Sequence, residues 1–168
     1  VAVTAGGETL LTGSDDGTTK EWSLAAPEPK LLRTLDPSAS ARSAVTAAAA
    51  SPTVKGEFAT GCQDGRILFW KPGAEQPSEM GGRLAGAVRA LAYSADGGWI
   101  AAAGDDRRIT LVQVDRPDLP IPLGTGANHL EMINALAFQP GGKILASAGD
   151  DSVVRRWRMA DRSAIGTM

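Results

Sequence analysis

A twelve-residue motif of small residues, an Asp and, six positions later, a Trp or Val recurs four times in this chain, and a sequence that repeats itself folds as stacked copies of one small unit. Aligned on that Asp, the copies read "LTGSDDGTTKEW", "ATGCQDGRILFW", "AAAGDDRRITLV" and "ASAGDDSVVRRW". The anchors are Asp16, Asp64, Asp106 and Asp151, separated by 48, 42 and 45 residues. Trp22, Trp70, Val112 and Trp157 stand six positions beyond them. A second signal recurs upstream, in "YSADGGWI" from Tyr93 and "FQPGGKIL" from Phe138, with weaker echoes in "VTAGGETL" and "ASPTVKGEF".

Each unit reads as strands. "AVRALAYS" sets Val88, Ala90 and Ala92 in alternation with Arg89, Leu91 and Tyr93, and ends at an Asp-Gly-Gly turn. The apolar run "WIAAAG" follows, then a tight turn at the Asp, then the β-branched "RITLVQV", then a short stretch such as "PIPLGTG". Asp16-Gly17 and Asp64-Gly65 are two-residue hairpin signals, because Gly accepts the positive φ such turns need. Asp106-Arg107 and Asp151-Ser152 lack that Gly. Helical periodicity is nowhere sustained. The fold class expected is all-β, with four units of four-stranded antiparallel meander.

Composition narrows the partners. With 17 basic and 19 acidic residues the net charge is −2, which gives no electrostatic footprint for a nucleic acid. No run approaches the roughly 18 apolar residues of a membrane-spanning helix, and no signal peptide is visible. Cys62, the single cysteine, cannot form an intramolecular disulfide and fits a reducing, cytoplasmic setting. The chain starts at Val1 without a Met, so a native N-terminus and any targeting signal are expected outside it.

Over essentially its whole length the sequence resembles the WD-repeat family of β-propellers. The fourth repeat carries the resemblance best: His129, then Phe138 and "QPGG", then "ILASAGDDSVVRRWR". In that family a His ahead of the first strand, a Ser or Thr in the second, the hairpin Asp and the third-strand Trp form a hydrogen-bonded network. The resemblance implies that network for His129, Ser147, Asp151 and Trp157. The remaining repeats depart from it. Thr12, Asp16 and Trp22 survive in the first and Thr60, Asp64 and Trp70 in the second, while the third keeps Asp106 but has Ala102 and Val112. The position after the Trp, Asp in the family, is Ser23, Lys71, Gln113 and Arg158 here. The resemblance implies blades at approximately 1–40, 41–83, 84–127 and 128–168.

Chemistry-bearing residues have plain readings. His129 is a lone imidazole without ligand-spaced companions, so it fits a structural network and neither a metal site nor a general base. Cys62 takes a place held elsewhere by Ser14, Gly104 and Gly149 and is expected to be a buried, inert thiol. "GSDDG" and "AGDDR" lack the alternating oxygen ligands of a calcium loop. The Trp residues, one per unit, are expected in the core. In "RRWRMADR", alternation sends Arg156 and Arg158 to one face and Arg155 to the other, which breaks up a basic patch. No catalytic residue, cofactor or metal is expected.

The residues preceding the anchors, Asp15, Gln63, Asp105 and Asp150, would share one rim of a propeller with first-strand positions Thr46, Arg89 and Asn134. By resemblance that rim receives partners, and its three carboxylates favour a basic or polar surface. The expected function is a non-catalytic protein-interaction scaffold. The alternatives are the propeller part of an enzyme and a regulatory domain of a larger protein. Since the family usually builds about seven blades, four imply an open arc, with a closed four-bladed ring as the runner-up. Each open end would leave roughly 400 Å² uncovered. Further blades, a second copy of the chain or another protein would complete the ring. The protein is expected to bind protein partners, and neither nucleic acid nor membrane.

Overall fold

The structure, a computed structural model, describes residues 1–4, 6–37, 42–124 and 128–168. The expected repeat boundaries at 40/41 and 127 lie outside the described residues. The described residues form sixteen strands in four sheets of four, each in simple up-and-down order. The first sheet holds β1 (Ala2–Val3), β2 (Thr9–Gly13), β3 (Thr19–Ser23) and β4 (Lys30–Leu35). The second holds β5 (Val45–Ala50), β6 (Phe58–Cys62), β7 (Arg66–Trp70) and β8 (Ser78–Arg83). The third holds β9 (Val88–Tyr93), β10 (Trp99–Gly104), β11 (Ile109–Gln113) and β12 (Arg116–Leu123). The fourth holds β13 (Ile133–Phe138), β14 (Ile144–Gly149), β15 (Val154–Arg158) and β16 (Ser163–Thr167). The all-β, four-unit expectation therefore holds.

The six-residue spacing has a geometric cause. Hairpin pairing places the residue six before each anchor opposite the residue six after it: Leu10 faces Trp22, Phe58 faces Trp70, Ile100 faces Val112 and Leu145 faces Trp157. The anchor Asp caps the turn by accepting the backbone N–H two residues on. Thr18 N, Arg66 N, Arg108 N and Val153 N lie 2.9, 3.3, 3.1 and 3.2 Å from the respective Oδ1 atoms. This Asx geometry is turn chemistry, so the repeat of Asp needs no catalytic explanation. Arg107 and Ser152 occupy the left-handed region at φ 63° and 61°, where Gly17 and Gly65 stand at 84° and 87°. The two hairpins without Gly thus keep the same turn and carry strain at a side chain.

Between consecutive sheets lies one apolar joint. Leu11 and Leu35 of the first meet Phe58, Leu68 and Trp70 of the second. Ile67 and Phe69 of the second meet Val88, Ile100 and Val112 of the third. Leu111 and Leu123 of the third meet Ile133, Leu145 and Trp157 of the fourth. In every joint the later sheet contributes its residue at the Trp position, and Phe58 stacks on Trp70 with centroids 5.7 Å apart. The fourth sheet does not pack on the first, so the described residues form an open arc.

That opening corrects one expectation. Trp70 and Trp157 are 1% exposed, but Trp22 is only half-buried because no sheet among the described residues covers its face. Trp99, the Trp of the third unit, starts β10 instead of taking the position six past the Asp, and it too is half-buried.

Candidate functional site

The fourth blade holds its polar residues in a chain of hydrogen bonds. Asp151 is bonded to His129 Nδ1, with its two oxygens at 2.9 and 3.0 Å, and accepts Leu130 N at 3.0 Å. His129 Nε2 is 2.8 Å from Ser147 Oγ, which in turn accepts Trp157 Nε1 at 2.9 Å. One tautomer satisfies all of it: Nδ1–H donates to the carboxylate, and Nε2 accepts the Ser147 hydroxyl. Burial works against the Asp151 charge, but the bonds from His129, Leu130 and Val153 outweigh it and hold its pKa at about 2. The His129 side chain is 0% exposed and that of Asp151 4%, so both imidazole nitrogens are committed inside the protein.

The other blades carry less of this network. Trp22 Nε1 donates to Thr12 Oγ1 at 3.0 Å and Trp70 Nε1 to Thr60 Oγ1 at 3.1 Å. In the third blade Ala102 and Val112 are both fully buried, and replacing donor and acceptor together leaves nothing unsatisfied.

A different constellation is built at the hairpin end of the sheets. There the start of each first strand bonds the hairpin: Gln63 N, Asp105 N and Asp150 N donate to Ala44 O, Ala87 O and Met132 O at 2.8, 3.1 and 2.9 Å. Just beyond, the first strand of the second, third and fourth sheets carries one residue too many for its partner strand. The pairing steps from Val45 to Ala47, from Val88 to Ala90 and from Ile133 to Ala135, leaving Thr46, Arg89 and Asn134 bulged out. A bulge re-aims a side chain, and here it does so at the same place in three blades.

Those three side chains meet in one polar cavity of about 380 Å³, lined also by Asp15, Val45, Gln63 and Ala87. Five of the seven rim residues singled out in the sequence thus converge. Asp105 and Asp150 stand behind the wall, accepting hydrogen bonds from Arg89 Nε and Asn134 Nδ2. Thr46 ties two blades together through a bond from its hydroxyl to Val88 O. Asp15 is exposed and, among the described residues, has no hydrogen-bond or ion-pair partner. Farther along the same strands a second cavity, about 250 Å³, shares Thr46, Arg89 and Asn134 with the first and is lined also by Ala47, Ala48, Ala90 and Ala135.

Other candidates are accounted for by packing. Cys62 is 1% exposed, and burial pushes its thiol pKa up to about 11. Arg155 turns toward Asp151, 3.6 Å away, while Arg156 and Arg158 are exposed on the opposite face. The described residues contain no group of three or more His, Cys, Asp or Glu placed to hold a metal ion, and no helix long and apolar enough to cross a membrane. The sequence reading missed the bulges and the half-hidden pair Arg33 Nε to Glu21 Oε2 at 2.5 Å. Hairpin register would have shown the pair, since Glu21 and Arg33 are directly opposite. Nothing local in the sequence marks a bulge.

Comparison with known proteins adds one match. The family described as WD domain, G-beta repeat matches residues 78–112 and 121–158. Each matched stretch begins in the outer strand of one sheet and ends in the third strand of the next, so the sequence repeat is offset from the structural blade. No curated protein matches the chain.

Proposed function

The chain belongs to the WD-repeat family, and on that premise we propose that it is a non-catalytic scaffold that docks a protein partner at the mouth formed by Asp15, Thr46, Gln63, Arg89 and Asn134. The observation that carries this reading is the repeated bulge, which turns Thr46, Arg89 and Asn134 of three separate blades into a single polar cavity. The bulge recurs at the same place in the first strand of three blades, so the three side chains arrive at one mouth. Counting Asp15, Asp105 and Asp150 against Arg89, these groups carry three negative charges and one positive, which favours a partner presenting basic or amide side chains. A non-catalytic role is supported by His129, whose ring nitrogens are both used in a buried network and cannot reach a substrate. The carboxylates recur at hairpin spacing, unlike a convergent acid–base pair.

A photo-crosslinking side chain at Gln63 tests the reading in extract of the source cell. A discrete crosslinked protein is expected from Gln63 and not from a control at Asp161, and it should vanish on adding Arg89→Ala. Equal capture from both positions would defeat the assignment.

A further inference from the structure

The joint between the third and fourth sheets is open at the end away from the mouth. A pocket of about 130 Å³ lies there over the buried Leu111, walled by Trp99, Phe138 and Met159, with Asp96 and Arg162 exposed at its edge. Its loops are not the Asp hairpins: Asp96 and Gly142 stand ahead of β10 and β14, and Arg162 ahead of β16. The preceding joint, between the second and third sheets, shows the same place closed. Tyr93 and Phe138 hold one register position, opposite Ile100 and Leu145, and Gly97 and Gly142 hold another, three residues before those partners. Glu57 and Trp99 hold a third, each directly before the residue that faces the third strand. A Cβ on Gly97 would come within 2.3 Å of Thr53 Oγ1, which fills that joint, whereas a Cβ on Gly142 would meet nothing within 4 Å. With Trp99 and Phe138 in place of Glu57 and Tyr93, the open joint is also lined by apolar rings. Trp99, Phe138 and Met159 all stay half-buried in it.

The charges at the edge are not equivalent. Asp96 Oδ1 accepts Ser94 Oγ at 2.5 Å and Gly98 N at 3.1 Å, so that carboxylate caps its own turn. Arg162 has no hydrogen-bond or ion-pair partner among the described residues. We propose that the pocket anchors one aliphatic side chain, of Leu or Met size, from an acidic segment of a partner protein whose carboxylate pairs with Arg162. Volume selects the anchor. At roughly 30 Å³ per water-sized group the pocket takes about four, the heavy-atom count of a Leu or Met side chain. Sites for whole small molecules run to about 300–1,000 Å³, so a cofactor is too large. Charge selects the neighbour, because the unpaired guanidinium is the group left to bond and its N–H fork matches a carboxylate. This site shares no residue with the mouth and does not depend on the mouth reading.

Random heptapeptides displayed on phage and selected on the 168-residue chain test this, with recovered peptides titrated by fluorescence anisotropy. A set carrying Leu or Met next to Asp or Glu is expected. Its affinity should fall by about tenfold or more in Arg162→Gly, and Arg162→Lys should restore part of it. Folding is safe in Arg162→Gly, since the backbone there is left-handed at φ 58° and suits Gly. Trp99→Glu, which copies the lining of the closed joint, should weaken the same peptides, and Arg89→Ala at the mouth should not. If Trp99→Glu fails to fold, the two Arg162 variants decide alone. A selection that recovers no Arg162-dependent peptide overturns the proposal, whether its peptides depend on Arg89 or on neither residue. So do Arg162-dependent peptides that lack an aliphatic residue.

Discussion

His129 Nδ1 lies 2.9 Å from Asp151 Oδ1, and through its other nitrogen the same ring reaches Ser147 and then Trp157, so one imidazole joins the hairpin to the core of the fourth blade. Removing it strands a carboxylate that is 4% exposed. His129→Ala is expected to cost about 1–3 kcal/mol, the usual penalty for orphaning a buried polar group. Asp16→Ala should cost less, because Asp16 is exposed and bonds only within its own turn. Urea midpoints of the two variants check the ordering.

The same network makes the blade acid-sensitive. The folded pKa of Asp151, about 2, lies below the unfolded value of about 3.9, so its stabilisation is complete above the unfolded value and is lost as pH falls through the folded one. The loss is expected on the order of 2 kcal/mol. Urea titrations at steps through that window should show a shallower acid decline in Asp151→Asn than in the parent chain.

Hairpin strain predicts a gain. Ser152→Gly, at φ 61°, is expected to stabilise by about 1 kcal/mol by relieving a left-handed side chain. Gly65→Ala should do the opposite and more strongly, because its Cβ would come within 2.2 Å of Leu84 O. Paired thermal melts decide the signs.

The indole bonds should differ in value by position. Thr60→Val leaves the N–H of Trp70 unsatisfied at 1% exposure and is expected to cost about 1–3 kcal/mol. Thr12→Val should be nearly neutral, because Trp22 is half-buried and water can take the bond. Denaturation of both variants provides the comparison.

Neutralising the rim should separate binding from folding. Asp15, Asp105 and Asp150 changed together to Asn retain turn propensity. The Arg89–Asp105 pair is 42% and 31% exposed and contributes little stability. Melting is expected unchanged, with weaker and more weakly salt-dependent partner binding, measured by calorimetry at two ionic strengths.

Strand order and hairpin position could be read along the chain because each is local, whereas the members of the His129 network were legible only through the resemblance to the WD-repeat family. Alternation sets the faces, Asx chemistry sets the turn, and a six-residue count on either side of the Asp sets which residues oppose. Cys62 is of the same kind, since a position otherwise held by Ser or Gly announces tight packing. Strand faces, turns and opposing residues follow from backbone geometry within one hairpin and its neighbour, and the sequence determined them unaided.

Other properties were decided only when sheets met. Trp22 and Trp70 have the same local register and the same hydroxyl partner, yet one is half-exposed and the other covered, because only Trp70 has a covering sheet among the described residues. Thr46, Arg89 and Asn134 lie more than 40 residues apart in sequence and share a cavity because stacking brings three bulges to one mouth. Arg89, read alone as a rim cation, is paired with Asp105 once β9 lies beside β10. The physical reason is common to all three: burial and electrostatic environment belong to surfaces in contact, and a chain's own periodicity does not specify which surface arrives.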